Sequence, residues 1–427
     1  MKKIVLFTTL FLNLNLFGDY LQYSGLSYVS QEADIEIAYP NTLKIEDSLI
    51  AFLSDDLRQN KSKNPELSLE VSKTFKDGSY QVIVALDSEN IMSIESIVED
   101  QISCVSTYSL SGQVVVFNAK ELQIVSIKPY AINRRYLDKG INCKNINKKT
   151  QLLRFAQTFF GLEIPKNQYE NFLILDDSQM VKQIKNLYTD SKFIYEKAFI
   201  KKISNEILST NLSSISNTNF FIGIDDVQLG KLALSQMSGE KEFINNNYFL
   251  DANNNFKQQA YKVWIGQEFS KWFSESFNLP LIPYVKGKAL GLKISDKYED
   301  ANELLNLRLP NLDFGFVINI RGFKKVKLDE SKLREAYAWA AFSKIEFHNV
   351  GIKKITEIDL KYIHTQEVNK NQTFDDWDTF NFSQNKIMKD YVSNIDTFDK
   401  KWLKQASKMS SKDFKKHVNY IKKNIRL

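Results

Sequence analysis

The chain has 427 residues, of which 43% are hydrophobic and 25% are charged, and its formal net charge is +6. This is the composition of a folded globular protein, so it excludes disorder over most of the length. The 15 glycines argue against folds that bind nucleotides through glycine-rich loops, and the small net charge does not indicate a nucleic-acid partner.

The first predicted element is an export signal over residues 1–18. Lys2 and Lys3 supply a positive start, an interrupted apolar run follows, and Gly18 is a small residue suited to cleavage. The alternative is a buried N-terminal element, since the run is too short to span a membrane. We therefore expect a periplasmic protein and, more specifically, one positioned peripherally at the outer membrane.

Residues 19–145 are predicted to form a β-rich domain built as an antiparallel meander. Its predicted strands cover residues 67–74, 80–86, 102–110, 114–117 and 122–127. Asp77-Gly78 favours a hairpin between the first two, because this pair suits a turn that needs positive φ. A second turn is predicted at Ser111-Gly112.

The only two cysteines, Cys104 and Cys143, are predicted to form a disulfide. Exported proteins meet an oxidising compartment, where a cysteine pair is readily oxidised. The bond would tie the segment after the meander to the sheet. The alternative is two buried free thiols.

Residues 146–250 are predicted to hold small tandem α/β modules. Residues 172–182 and 221–231 share five identities, and each segment has an apolar stretch followed by an Asp pair, Asp176-Asp177 or Asp225-Asp226. Aspartate suits the N-terminus of a helix, so both segments are predicted to repeat one strand-to-helix unit. Chance identity is one alternative, and a role for the Asp pairs in acid–base chemistry or metal binding is another.

Residues 251–370 are predicted to form an α+β module. The best-defined helix covers residues 256–277, where aromatic and aliphatic residues share one face. Three strands with alternating apolar residues follow. Those apolar residues are Phe314, Phe316, Ile318, Ile320, Tyr337, Trp339, Ala341, Ile345, Phe347, Ile358, Leu360 and Tyr362.

Residues 371–427 are predicted to form a helical, basic tail. Between residues 400 and 427, ten basic side chains accompany one acid, Asp413. The lysines that we expect to contact a membrane surface or a partner are Lys400, Lys401, Lys404, Lys408, Lys415, Lys416, Lys422 and Lys423. The alternative is a docked helix whose lysines only face solvent.

No catalytic, cofactor-binding or metal-binding residue is assigned from the sequence, and no cofactor is expected. His348, His364 and His417 lack the spacing of metal ligands. The acidic cluster at residues 375–378 is interpreted as a helix start, because the glycine and glutamate of a calcium loop are absent. A carboxylate pair for glycoside cleavage needs only spatial proximity, so it stays an open alternative.

The layout resembles accessory envelope proteins of polar flagella, those that form or stabilise disks under the outer membrane. The resemblance rests on the export signal over residues 1–18, the two strand-to-Asp-Asp segments and the helix-plus-strands module over residues 256–362. It implies a role in motility and carries no site residues over. The chain has no cysteine near the cleavage site, which departs from the disk proteins that are lipoproteins.

The sequence thus predicts an α+β protein with an N-terminal antiparallel β meander domain, small tandem α/β modules and a helical C-terminal tail. We expect a non-catalytic envelope protein that assembles with partner proteins, without nucleic acid. One alternative is an envelope hydrolase acting on peptidoglycan or glycan. Another is a periplasmic ligand-binding protein.

Overall fold

The computed structural model of the protein describes residues 20–29, 39–69, 79–98, 101–164, 166–189, 199–212, 221–238, 258–277, 279, 281–282, 284, 289–294, 304–351, 354–370 and 376–425. The predicted export signal over residues 1–18 and the predicted turn at Asp77-Gly78 lie outside the described residues. Arg426 of the basic tail also lies outside them.

Strands and helices both contribute heavily, so the α+β class is confirmed. The strands are β1 (Tyr20–Val29), β2 (Leu67–Ser68), β3 (Ser79–Val98), β4 (Gln101–Asn118), β5 (Gln123–Lys139), β6 (Ile222–Leu229), β7 (Ala289–Ile294), β8 (Leu304–Arg308), β9 (Phe314–Glu330), β10 (Arg334–Asn349) and β11 (Lys354–Asn369). The helices are α1 (Thr42–Gln59), α2 (Lys148–Phe160), α3 (Lys166–Leu173), α4 (Asp177–Thr189), α5 (Phe199–Ser209), α6 (Lys231–Ser238), α7 (Gln258–Phe277), α8 (Asp376–Asp396), α9 (Lys400–Ala406) and α10 (Ser411–Ile425).

The first sheet has the strand order β2-β1-β3-β4-β5-β8-β7, and β7 also pairs with β1, so the sheet closes on itself. The strands β3, β4 and β5 form an antiparallel meander, in line with the sequence pattern. Strand β1 runs parallel to β3, whereas β7 runs antiparallel to β1.

The predicted break at Ser111-Gly112 is wrong, because β4 runs through it without interruption. Gly112 pairs with Leu86 on one side and Tyr130 on the other. A Cβ at position 112 would lie 2.7 Å from the Ala85 carbonyl oxygen. This glycine therefore allows close strand approach rather than a turn.

Residues on the two faces of the first sheet belong to different clusters of buried side chains. Val82, Val84 and Val114 pack in the cluster that includes α1, α2 and α5. Ile83 and Val115, one residue along each strand, belong to a smaller cluster on the opposite face. Side chains alternate along a strand, so both faces of these strands are apolar.

Polar residues fix the ends of the helices that cover the first sheet. The carboxylate of Glu89, on β3, accepts hydrogen bonds from the backbone N–H groups of Asn41 and Thr42 at the start of α1. Asn147 caps α2 by accepting from the Thr150 N–H at 2.8 Å. Gly161 ends α2 with φ +62°, a conformation that glycine adopts without strain.

The helices α2, α3, α4 and α5 belong to the same buried cluster as the first sheet. That cluster therefore crosses the limit near residue 145 at which the sequence pattern changes from strand to helix. Arg154 on α2 is buried, and its guanidinium binds the carboxylate of Asp138 on β5. It also lies over the Tyr136 ring, with 4.7 Å from Cζ to the ring centroid.

The second sheet has the order β11-β10-β9-β6, in which β9, β10 and β11 form an antiparallel meander and β6 is parallel to β9. One face carries the predicted apolar residues of the three strands, including Phe316, Trp339 and Leu360, and packs against α7, α8 and α10. The opposite face, here called the outer face, is mostly half-buried or exposed.

The helix predicted over residues 256–277 is α7, and it lies between the two sheets. Its apolar face, with Tyr261, Ile265, Phe269 and Phe273, packs in the second cluster. Its other side is also buried and contacts β5 of the first sheet. This helix is therefore enclosed rather than amphipathic.

Candidate functional site

The disulfide predicted from the sequence is present. Cys104 on β4 and Cys143 in the turn after β5 are bonded, with their Cα atoms 4.9 Å apart. The alternative of two free thiols is wrong for this structure. The Cys143 N–H donates to the Glu95 carboxylate at 3.1 Å, which further ties this turn to β3.

The predicted repeat of two strand-to-helix units is wrong. Asp176-Asp177 does lie at a helix start, where Asp176 Oδ1 accepts from the Gln179 N–H at 2.7 Å. The residues before it, however, form helix α3. Asp225-Asp226 lies within strand β6 instead. The shared letters therefore have different structures, because tertiary pairing with β9 holds the second copy extended.

The histidines lie apart and have separate partners. His348 Nε2 is 3.3 Å from the Asp225 carboxylate. His364 Nε2 is 3.2 Å from Gln366 Oε1, and His417, a residue of α10, is buried. Within the described ranges, no three histidine, cysteine or carboxylate side chains are grouped closely enough to hold a metal ion.

The predicted acidic helix start is present at α8, where Asp376 is buried. Its Oδ1 accepts from Trp339 Nε1 at 2.7 Å and lies 2.8 Å from Lys325 Nζ. A buried carboxylate with a hydrogen bond and a cation is satisfied, so Asp376 links α8 to the second sheet.

The basic tail forms two helices whose apolar side chains are buried in the second cluster. Leu403 anchors α9, while Phe414 and Ile421 anchor α10. Between the helices, Ser407 Oγ donates to the Asp359 carbonyl oxygen on β11 at 2.6 Å. The helices are therefore a fixed part of the second core.

The lysines of these helices point outward. Lys422 is half-buried and the others are exposed. This set, here called the tail surface, comprises Lys400, Lys401, Lys404, Lys408, Lys412, Lys415, Lys416, Lys422 and Lys423. Asp413 is 3.6 Å from Lys416, and its pKa is lowered by the Ser410 hydrogen bond and by nearby lysines. The tail surface therefore carries a large excess of positive charge.

A groove crosses the outer face of the second sheet, from Leu232 on α6 to the segment between α9 and α10. Its volume is about 890 Å³. Lys361, Phe342 and Gly322 are direct partners across β11, β10 and β9, so they form one row of the floor. The other apolar lining residues are Met409, Phe323, Leu360 and Ala406.

Gly322 has no side chain, so it leaves room on the groove floor beside Leu232. Its φ is +155°, and a Cβ there would lie 2.9 Å from Leu232 Cδ2. Any larger residue would therefore be strained and would push the Leu232 side chain away. Leu232 is 55% exposed, so an apolar side chain lies uncovered at this end of the groove.

Three carboxylates line the groove, and all three are already engaged by basic residues. Glu357 is 2.7 Å from Lys344, Asp359 is 2.6 Å from Arg321, and Asp413 is 3.6 Å from Lys416.

Four lysines of the groove, in contrast, have no ion-pair partner in the described part of the chain. They are Lys324, Lys361, Lys404 and Lys408. The lining therefore carries more positive than negative side chains beside an apolar floor, and the groove favours an anion that also carries an apolar part.

Of the residues that line this groove, Lys404 and Lys408 were predicted from the sequence to contact a surface or partner, and the others were not. Lys324 and Lys361 lie on strands whose opposite face was predicted to be core. Alternation with Leu360 assigns Lys361 to the outer face, but alternation with Ile320 would assign Lys324 to the core face. Lys324 lies on the outer face because the register between β9 and β10 shifts between Ile320 and Gly322. The approach of α6 could not be inferred in this way, because it depends on tertiary packing.

In comparisons with known proteins, no protein-family model and no curated protein sequence matches the chain. Among the described residues, no helix combines the length and the apolarity needed to cross a bilayer.

Proposed function

We propose that this chain is an exported, non-catalytic protein of a bacterial cell envelope that binds an acidic partner protein through the tail surface. The observation that carries the proposal is the fixed display of lysines on α9 and α10. Because Leu403, Phe414 and Ile421 anchor these helices in the core, the backbone under the lysines is already ordered before a partner binds.

The charge distribution supports an acidic partner. Asp413 provides one carboxylate on a surface that presents nine lysines, eight on the two helices and Lys408 between them. A positive field of this density speeds the encounter with a negatively charged surface and disfavours basic ones. Side chains at the edge of an interface mostly change association rate and salt dependence, so binding is expected to weaken as salt rises.

The Cys104–Cys143 bond supports the exported location. Disulfides persist in oxidising compartments and are rare in the bacterial cytoplasm. The periplasm, and more specifically the periplasmic side of the outer membrane, is the compartment that we propose.

A role in flagellar motility is the more specific part of the proposal and rests on the resemblance in layout. Deleting the gene is expected to reduce spreading in soft agar, and the wild-type gene supplied in trans is expected to restore it. A deletion strain that swims normally would contradict the proposed role in motility and leave the binding proposal intact.

The binding proposal is tested on isolated cell envelopes. The reversal variant Lys412→Glu/Lys415→Glu/Lys416→Glu/Lys423→Glu is expected to leave the sedimented envelope at lower salt than the wild type. The control reverses four exposed lysines outside the tail surface, Lys61, Lys63, Lys120 and Lys182, and is expected to behave as wild type.

Envelopes treated with protease before the protein is added identify the partner class. Loss of binding after this treatment is the expected result for a protein partner. Retained binding would instead assign the tail surface to anionic lipid headgroups. If the reversal variant sediments as the wild type does at every salt concentration, the tail surface is not the binding surface.

A further inference from the structure

We propose that the groove on the outer face binds a single-chain anionic amphiphile, a molecule with one acyl chain and one acidic headgroup. This ligand site has its own floor, on the sheet and on α6, and it shares Lys404 and Lys408 with the tail surface.

The size of the groove favours a small ligand. A volume of about 890 Å³ lies within the range of pockets that hold drug-sized molecules, roughly 300–1,000 Å³. Such pockets are mostly apolar with a few polar groups that fix orientation. The groove has this character, because Leu232, Phe342 and Met409 lie between lysines.

The floor is suited to an apolar chain. Phe342 lies at the centre of a cross-strand row, with Gly322 beside it and Leu232 over that glycine. Burial of the exposed Leu232 side chain by an acyl chain would remove apolar surface from water, which is the main driving force for such binding.

The lysines are suited to the headgroup. Lys404 and Lys408 lie at the α9–α10 end, and Lys361 projects from the neighbouring strand β11. All three lack an ion-pair partner in the described residues, whereas the nearby Asp359 is engaged by Arg321. An incoming carboxylate or phosphate would therefore meet available donors without displacing an existing ion pair.

Apolar and charged contacts together predict selectivity. A neutral analogue keeps the apolar contacts and loses the charge-assisted hydrogen bonds, so it should bind more weakly. A bare anion keeps only the charge and should also bind weakly.

The test is a fluorescence titration of the purified full chain with cis-parinaric acid, a fluorescent fatty acid, and with its neutral methyl ester. We expect saturable binding of the acid at one site per chain and binding about tenfold weaker for the ester. The double variant Lys404→Ala/Lys408→Ala is expected to weaken the acid about tenfold and to leave the ester unchanged. Its matched control is Lys400→Ala/Lys401→Ala, on the same helix but outside the groove.

The apolar half of the site has its own pair of variants. Leu232→Asp is expected to weaken the acid and the ester alike. Leu328→Asp replaces a leucine that is also 55% exposed but lies outside the groove lining, and it should bind as wild type.

Three results would overturn the proposal. One is the absence of saturable binding up to the solubility of the probe. Another is equal binding of acid and ester that none of the groove variants changes. The third is sedimentation with phosphatidylglycerol vesicles without binding of the monomeric acid, which would assign the lysines to a membrane surface. The first two results leave the acidic protein partner untouched, because its test reverses Lys412, Lys415, Lys416 and Lys423, none of which lines the groove. The third result would also favour lipid over protein as the partner of the tail surface.

Discussion

His417 is enclosed by polar partners that hold its imidazole in place. Thr356 Oγ1 is 2.8 Å from Nδ1, and the Tyr391 hydroxyl is 2.8 Å from Nε2. Burial lowers the pKa of His417 to about 4. The folded protein therefore keeps this ring neutral at a pH where the unfolded chain, with a pKa near 6.5, takes up a proton.

Stability is expected to fall as pH falls from about 6.5 towards about 4, because only the unfolded chain gains the proton. Between pH 7 and pH 5 this residue is expected to reduce the free energy of unfolding by about 2 kcal/mol. Urea titrations of the wild type and His417→Gln measure the difference. The variant should show the shallower pH dependence, and equal slopes would contradict this assignment.

The Cys104–Cys143 disulfide also contributes to the stability of the folded protein. Cys104→Ser/Cys143→Ser is expected to lower the free energy of unfolding by about 3–4 kcal/mol. Without the bond, the unfolded chain gains the conformational entropy of an open loop between two residues that are 39 positions apart. Urea denaturation with and without reductant measures it. Reductant should destabilise the wild type alone, whereas two titratable thiols in denatured, unreduced protein would contradict the bond.

Among single-residue features, the sequence predicted those that do not depend on which elements meet in the folded chain. The cysteine pair needed only its count and the expected compartment. The burial of His417 could not be predicted, because Tyr391 and Thr356 come from other elements that approach it only in the folded chain. The same holds for Arg154 and its partner Asp138.

Among the secondary-structure elements, α7 and α8 share a buried charged contact. Lys271 and Glu268 form an ion pair with both side chains almost fully buried. Asn385 on α8 donates to the Glu268 carboxylate and accepts from Trp272 Nε1 at 2.7 Å. The contact therefore fixes how the two helices sit against each other.

Removing one partner of this pair should cost more than removing both. Glu268→Gln leaves a buried ammonium group without a counter-charge and is expected to lower the free energy of unfolding by about 3 kcal/mol. The double variant Glu268→Gln/Lys271→Met should regain much of that loss. Thermal and urea unfolding of the wild type, Glu268→Gln, Lys271→Met and the double variant measures it. Simple additivity of Glu268→Gln and Lys271→Met would show that the two charges are not coupled.

Helices and strands with a clear hydrophobic period were predicted correctly. The repeat inferred from sequence identity between two segments was not. The period of 3.6 identified α7, and alternation identified β9, β10 and β11. The matched segments at Asp176 and Asp225 failed because eleven residues with five identities carry too little information to fix secondary structure against tertiary pairing.

For the whole molecule, the closure of the first sheet and the enclosed position of α7 could not be predicted. Strands β7 and β8 come far along the chain from β1 and β5, with which they pair. Part of the candidate groove had a sequence signal, namely the lysines of the tail and Lys361 on the alternating strand β11. The rest depends on α6 and Gly322 coming together in the folded chain.

The charge of the tail surface is expected to act on binding and not on folding. The exposed lysines of α10 have few internal contacts, so the reversal variant Lys412→Glu/Lys415→Glu/Lys416→Glu/Lys423→Glu should unfold within about 1 kcal/mol of the wild type. Urea denaturation checks this. A larger loss would mean that weaker binding by this variant reflects damage to the fold.

The most direct test of the proposed function is a cross-linked pull-down of the tagged protein from the cells that produce it, read by mass spectrometry. Binding through the tail surface predicts a stoichiometric acidic partner. That partner should be retained by the control variant, in which Lys61, Lys63, Lys120 and Lys182 are reversed, and lost by the tail reversal variant. Flagellar components among the partners would support the motility role. Recovery of the chain alone, or of the same partners with both variants, would contradict binding through the tail surface.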